Sequence, residues 1–153
     1  MKVTEAELAA WGRRVGSEVR APAFIGLSGP LGAGKSVLAR AVAEGAGVCD
    51  YMPSPTFNLV FRYETGGKGA VIHADLYRLR SPEELAGIGW DDVVGDEEVI
   101  VLVEWPERAG PHLPAERWEV HLRYAGDGKG LRELDVQSFG DVPPLPGFAV
   151  RVL

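Results

Sequence analysis

The sequence predicts an α/β fold with a central, mostly parallel sheet flanked by helices and extended by antiparallel hairpin strands. Three observations carry this expectation. The short apolar runs AFIGLS (23–28) and VIVLV (99–103) read as buried strands. Segments with helical apolar spacing alternate with the strand-like runs. Two pairs of strand-like runs flank glycine-rich turns, TGGKG and GDGKG. The 153 residues, 46% apolar and 25% charged, predict one domain over 1–153 with a real core; its last stretch, about 139–153, reads as a tail.

The elements follow in order. Thr4-Glu5-Ala6-Glu7 reads as a capping box, in which the threonine bonds the third helical amide and Glu7 reaches back to the cap. Leu8, Trp11, Val15 and Val19 then give one apolar face, so a helix is expected from roughly Glu5 to Arg20. A strand is expected over Ala23–Ser28. A second helix is expected over Lys35–Ala46, stopped by Gly45 and Gly47. FNLVFRY (57–63) and AVIHA (70–74) have strand composition and suit a hairpin across TGGKG. Ser81-Pro82-Glu83-Glu84 reads as another capping box, with proline at the first helical position, and predicts a short helix to about Ile88. Val99–Val103, apolar without a break, predicts a central strand covered on both faces. Arg117–Tyr124 and Arg132–Ser138 alternate and predict a terminal hairpin. Val142-Pro-Pro-Leu-Pro reads as extended, with no role legible.

Composition excludes several functions. A net charge of −6 disfavours direct nucleic-acid reading, and basic pairs such as Arg13-Arg14 are scattered. Cys49 is the only cysteine, which excludes an intrachain disulfide; it reads as inert packing. No apolar stretch suits a membrane span or a signal peptide, so a cytoplasmic protein is expected.

The chemistry starts at GPLGAGKS. Gly29, Gly34, Lys35 and Ser36 complete the G-x-x-x-x-G-K-[ST] pattern between a strand and a helix. Glycines let the backbone wrap a phosphate, and the helix N-terminus favours anions. Lys35 is expected to reach the β and γ phosphates, with the Ser36 hydroxyl on Mg²⁺. The loop residues Leu31, Gly32 and Ala33, together with Val37, belong to the same expected nucleotide site. The sheet is therefore expected to be of the P-loop NTPase type.

No guanine-reading N-K-x-D is present: Asn58 is the only asparagine, and a leucine follows it. Asp92-Val-Val-Gly95 matches D-x-x-G but follows a helix end rather than a strand. A small-molecule kinase would need lid arginines, for which Arg78, Arg80 and Arg108 are the candidates. A non-hydrolysing nucleotide sensor is a third reading. Asp75 and Glu104 each end an apolar strand, where a carboxylate can reach P-loop Mg²⁺; each is alternatively a turn or structural residue. His73 shares a face with Asp75, as metal partner or structural histidine. His112 and His121 read as surface residues. Trp105 is either core or beside the site. Thr56, in Ser54-Pro55-Thr56-Phe57, is placed like a switch threonine that senses a γ-phosphate, or simply enters a strand after a proline turn.

GPLGAGKS, SPTFNLV, HADLYRL followed by SPEEL, and LVEWPER, taken in this order, resemble the TsaE (YjeE) family of small P-loop ATPases in bacterial tRNA threonylcarbamoyladenosine synthesis. The resemblance runs from about Thr4 to Arg132, with Ser36 where the family usually has threonine. It implies binding of ATP or ADP with Mg²⁺, and ATP hydrolysis that powers or resets a TsaB–TsaD pair, which handles the tRNA. On matching positions it implies Ser36 and Glu104 as Mg²⁺ ligands and Lys35 on the phosphates. Asp75 would be a second catalytic carboxylate, Thr56 the switch-like threonine and Trp105 a close neighbour. Thr4 and Glu5 would lie near the adenine, and Lys129 near the phosphates.

Overall fold

The computed structural model describes residues 1–49, 59–67, 69–126 and 130–147. Among the described residues, seven strands form one mixed sheet in the order β1-β7-β6-β2-β5-β4-β3. They are β1 (Lys2–Val3), β2 (Ala23–Ser28), β3 (Val60–Glu64), β4 (Ala70–Asp75), β5 (Val99–Glu104), β6 (Arg117–Tyr124) and β7 (Arg132–Phe139). The inner four, β6-β2-β5-β4, are parallel, and antiparallel partners flank them at both sides. This is the expected architecture, and both predicted hairpins form.

Strand β5 explains its own unbroken apolar run. Ile100 and Leu102 face a core shared with helices α1 (Glu5–Glu18) and α2 (Lys35–Gly45). Val99, Val101 and Val103 face the opposite core, with Phe24, Leu85 and Trp90. A strand covered on both faces has no solvent side on which to place polar residues. Strand β6 has one such core face: Trp118, Val120 and Leu122 are buried, and the residues between them are only partly so.

The first capping box forms in both directions: Glu7 N donates to Thr4 Oγ1 at 3.1 Å, and Thr4 N to Glu7 Oε1 at 3.0 Å. The second does not. Pro82–Ile88 is a 3-10 helix, and the Ser81 side chain makes no cap bond. Glu84 instead accepts from the Arg80 amide at 3.1 Å, because the tighter 3-10 turn changes which amide the carboxylate meets. Helix α1 also stops two residues before Arg20, with Val19 extended at ψ 137°. Ala21 precedes Pro22, and that position disfavours helical backbone.

Helix α3 (Trp90–Gly95) contains Asp92 to Gly95, so the D-x-x-G match lies within a helix, away from any strand end. Trp90 is buried, meets Phe24 edge-on at 5.9 Å and donates to the His112 carbonyl at 2.9 Å. Two surface and packing expectations are corrected. Cys49 is exposed, because it follows the end of α2 outside either core. His121 is half-buried, since β7 and β2 flank β6 on both sides.

The extended tail has a structural role. Trp118 Nε1 donates to Pro143 O and Trp11 Nε1 to Pro146 O, at 2.9 and 2.8 Å, while Val142 and Leu145 pack on the α1/α2 core. The tail thus supplies acceptors for two indole N–H groups that burial would otherwise leave unpaired. Among the described residues, no helix is long and apolar enough to cross a membrane.

Candidate functional site

The site gathers at the C-terminal ends of β2, β4 and β5, where parallel strands hand the chain to loops. Strand β2 ends at Ser28, and Gly29 to Gly34 turn the chain into α2. Gly29 has φ 146°, and a Cβ there would lie 2.2 Å from the Leu122 carbonyl oxygen. Glycine at 29 is therefore required by the close pass of β6, independently of any ligand.

The far side of the loop is held by the β6–β7 hairpin. Tyr124 Oη donates to the Leu31 carbonyl at 3.0 Å, and Arg132 Nε to the Ala33 carbonyl at 3.2 Å. The Arg132 guanidinium also lies 4.7 Å from the centre of the Tyr124 ring. Peptides are planar and trans, so carbonyls drawn towards the hairpin send the following amides the other way. Leu31 and Gly32 are exposed, Ala33 is buried, and Val37 lies in the first turn of α2.

Lys35, His73 and Glu104 are the polar side chains fully buried among the described residues, and all three belong to this site. Lys35 Nζ donates to the carbonyls of Gly29 and Pro30, the latter at 2.8 Å, and sits 4.3 Å from the centre of the Trp105 ring. Burial lowers its pKa, against the opposing pull of Glu104, Asp75 and Glu107. Ser36 Oγ donates to Glu104 at 3.1 Å to Oε1 and 3.3 Å to Oε2. His73 Nε2 lies 2.7 Å from Glu104 Oε2.

Asp75 and Glu104 are register partners on adjacent strands. Asp75 is half-buried and accepts from the Tyr77 amide at 3.0 Å. Burial is the main cause that raises its pKa, and Glu104 adds to it; the Tyr77 amide, His73 and Lys35 oppose them. Trp105 is beside the site, its ring 5.0 Å from Tyr77, with φ 62° turning the chain sharply at the end of β5.

Leu8 of α1 lies against Gly34: a Cβ at 34 would meet Leu8 Cδ2 at 3.0 Å. Thr4 and Glu5 are exposed, one turn before Leu8. Thr56 and Lys129 lie outside the described residues. Arg78, Arg80 and Arg108 are exposed; Arg108 donates to the Leu79 carbonyl at 3.5 Å and lies 5.9 Å from the centre of the Tyr77 ring.

Among the described residues, no three His, Cys, Asp or Glu side chains group to hold a metal alone. The donor set here is one hydroxyl and one carboxylate. That suits Mg²⁺, which keeps waters and takes phosphate oxygens rather than an all-protein cage.

A family model described as "Threonylcarbamoyl adenosine biosynthesis protein TsaE" matches residues 3–133. The chain belongs to the TsaE family. A TsaE from Haemophilus influenzae is 37% identical over 114 residues, covering 74% of this chain and 71% of that protein. One from Treponema pallidum is 35% identical over 130 residues, covering 85% and 93%. The crystal structure of YdiB from Bacillus subtilis superposes with a TM-score of 0.70 at 27% identity, over 91% of this chain and 84% of that one. The TsaE match ends at the start of β7, so it takes in the loop, both strand-end carboxylates and Arg132, and leaves out the proline-rich tail.

Reading the sequence missed three features of the site: His73 as the partner of Glu104, and Tyr124 and Arg132 on the loop. The His73 signal was its two-residue spacing from Asp75, which gave the right face. What the spacing lacked was the β4–β5 register.

Proposed function

We propose that the chain binds ATP with Mg²⁺, hydrolyses it to ADP and phosphate, and so drives a TsaB–TsaD-like complex that modifies tRNA. The observation that carries this is the contact between Ser36 and Glu104, 3.1 Å apart, joining the start of the P-loop helix to the end of a buried strand. In this reading Ser36 and Glu104 hold Mg²⁺, which when bound neutralises charge developing on the phosphates. Lys35 leaves its own loop carbonyls to hold phosphate oxygens. Asp75, beside Glu104, positions water or supports the metal. Leu31 to Val37 line the phosphates, Trp105 packs beside them, and Thr4 and Glu5 flank the base. Thr56 acts as the γ-phosphate sensor and Lys129 approaches the phosphates. The partners handle the tRNA, in keeping with a net charge of −6, and the work is cytoplasmic.

The test uses ATP labelled at the γ position, with and without the two partner subunits. Free labelled phosphate, at a rate altered by the partners, is the expected result. Label on a small acceptor would replace this reading with a phosphotransferase, and no release under any condition would leave a nucleotide sensor.

The hairpin gives a second expectation. Tyr124→Phe removes one hydrogen bond to the loop, and Arg132→Ala removes the one to the Ala33 carbonyl with a longer one, 3.5 Å, to the Gly32 carbonyl; each variant loses about 1 kcal/mol. Each should weaken ADP binding about fivefold by calorimetric titration, while the melting temperature stays near wild type. Unchanged ADP affinity in both would mean that the loop holds its shape without the hairpin.

A further inference from the structure

We infer that His73 is a positioning residue that fixes how Glu104 presents its carboxylate to the metal. This rests on the reading that Ser36 and Glu104 hold Mg²⁺. His73 pairs in register with Leu102, so Glu104 is its diagonal neighbour on the same face of the sheet. Both residues are almost fully buried, with exposures of 2% and 3%. A carboxylate so buried needs donors on its oxygens. Ser36 supplies one, and His73 Nε2, 2.7 Å from Oε2, supplies the other.

The tautomer follows from the other ring nitrogen. His73 Nδ1 is buried and, among the described residues, has no hydrogen-bond partner. A buried N–H without an acceptor is rarer in folded proteins than a bare lone pair, so the proton belongs on Nε2. His73 then donates to Oε2 and occupies it from within the core. Oε1, the oxygen nearer Ser36, is the one left to a cation. Glu104 is thus held to one rotamer and to single-oxygen ligation. Carboxylates that ligate a metal are themselves held by hydrogen bonds from behind, and losing such a partner typically weakens metal affinity by about 10–100-fold.

The experiment measures metal directly, with Mn²⁺ in place of Mg²⁺. Loss of the free Mn²⁺ paramagnetic resonance signal is titrated in the presence of ADP, and ADP affinity is measured separately in chelator. His73→Ala should weaken Mn²⁺ retention by about 10–100-fold, leaving ADP affinity in chelator unchanged. His73→Gln, whose amide N–H reaches the place of Nε2–H, should restore most of it. Should His73→Ala not fold, His73→Asn, too short to reach Oε2, takes its place. Equal Mn²⁺ retention in wild type and in the Ala or Asn variant overturns the inference, as does equal loss in the Gln variant. Mn²⁺ retention by Glu104→Gln at the wild-type level overturns the metal site itself, and the inference with it.

Discussion

Glu104→Gln is expected to abolish Mg²⁺-dependent ATP hydrolysis while leaving the chain folded. The substitution keeps volume and removes charge from a carboxylate that is 3% exposed. Two neighbours lose an ionic acceptor, Ser36 and His73, and the strand end loses the group that would face Mg²⁺. A fall in kcat on the order of 10³-fold, about 4 kcal/mol, follows from losing metal-assisted charge stabilisation. ADP binding in chelator should persist, because the loop amides and Lys35 are untouched. The glutamine still offers an oxygen to Ser36, and a neutral side chain is easier to bury than a charged one. The melting temperature should therefore move by no more than a few degrees. Phosphate release and a circular-dichroism melt on the same preparation separate the two effects. Hydrolysis within tenfold of wild type would remove Glu104 from the proposed metal site.

Gly16→Ala should produce the largest loss of stability. A Cβ at Gly16 would lie 1.9 Å from the Val42 carbonyl oxygen, so α1 must back away from α2. Gly45 faces α1 in the same manner, its Cβ position 1.9 Å from the Arg13 carbonyl oxygen. The obstacles are backbone atoms in helices, which cannot swing aside as a side chain can. Helix α1 carries Leu8, Trp11 and Val15 into the core, so a shift of the helix disturbs all three contacts. A cost of about 3 kcal/mol is expected, at the upper end of overpacking effects. For a chain of this size that is roughly 6–12 °C in Tm. Gly87→Ala, with none of the described residues within 4 Å of its Cβ position, is the control and should stay within about 0.5 kcal/mol. A Gly16→Ala protein that melts with wild type would show that the helices have room to spare.

The parts of the molecule that were legible in advance are those governed by local pattern. AFIGLS and VIVLV declared buried strands because strands covered on both faces have no reason to alternate. The P-loop declared itself because its spacing serves a backbone geometry. Thr4 to Glu7 held as a capping box because it opens a regular α-helix, whereas Ser81 to Glu84, an equally good match, did not. There the 3-10 turn redirects Glu84 to the Arg80 amide, and nothing in four residues separates the two cases. Glycine in a helix is by propensity only a weak helix former; what Gly12 and Gly16 do, letting two helices touch, depends on a partner helix about thirty residues away. His73 needed the register of β4 against β5 before its partner could be named. Prolines 143 and 146 offered no signal at all, since what the tail contributes is main-chain carbonyl oxygen.

The close pass of β6 over Gly29 has a consequence for the order in which the molecule is made. Leu122 and Tyr124, which shape and hold the phosphate loop, come more than ninety residues after it in the chain. The loop's helix is held by local hydrogen bonds, but its strand pairs only with the distant β5 and β6, and the wall that closes around the loop needs the β6–β7 hairpin laid alongside. Such distant pairing carries the loop-closure cost that slows folding. A chain growing from its first residue presents GPLGAGKS long before it has the hairpin to brace it. If the loop binds phosphate as proposed, its grip waits on residues laid down more than ninety positions later, and a chain made only as far as α2 carries the loop without that wall.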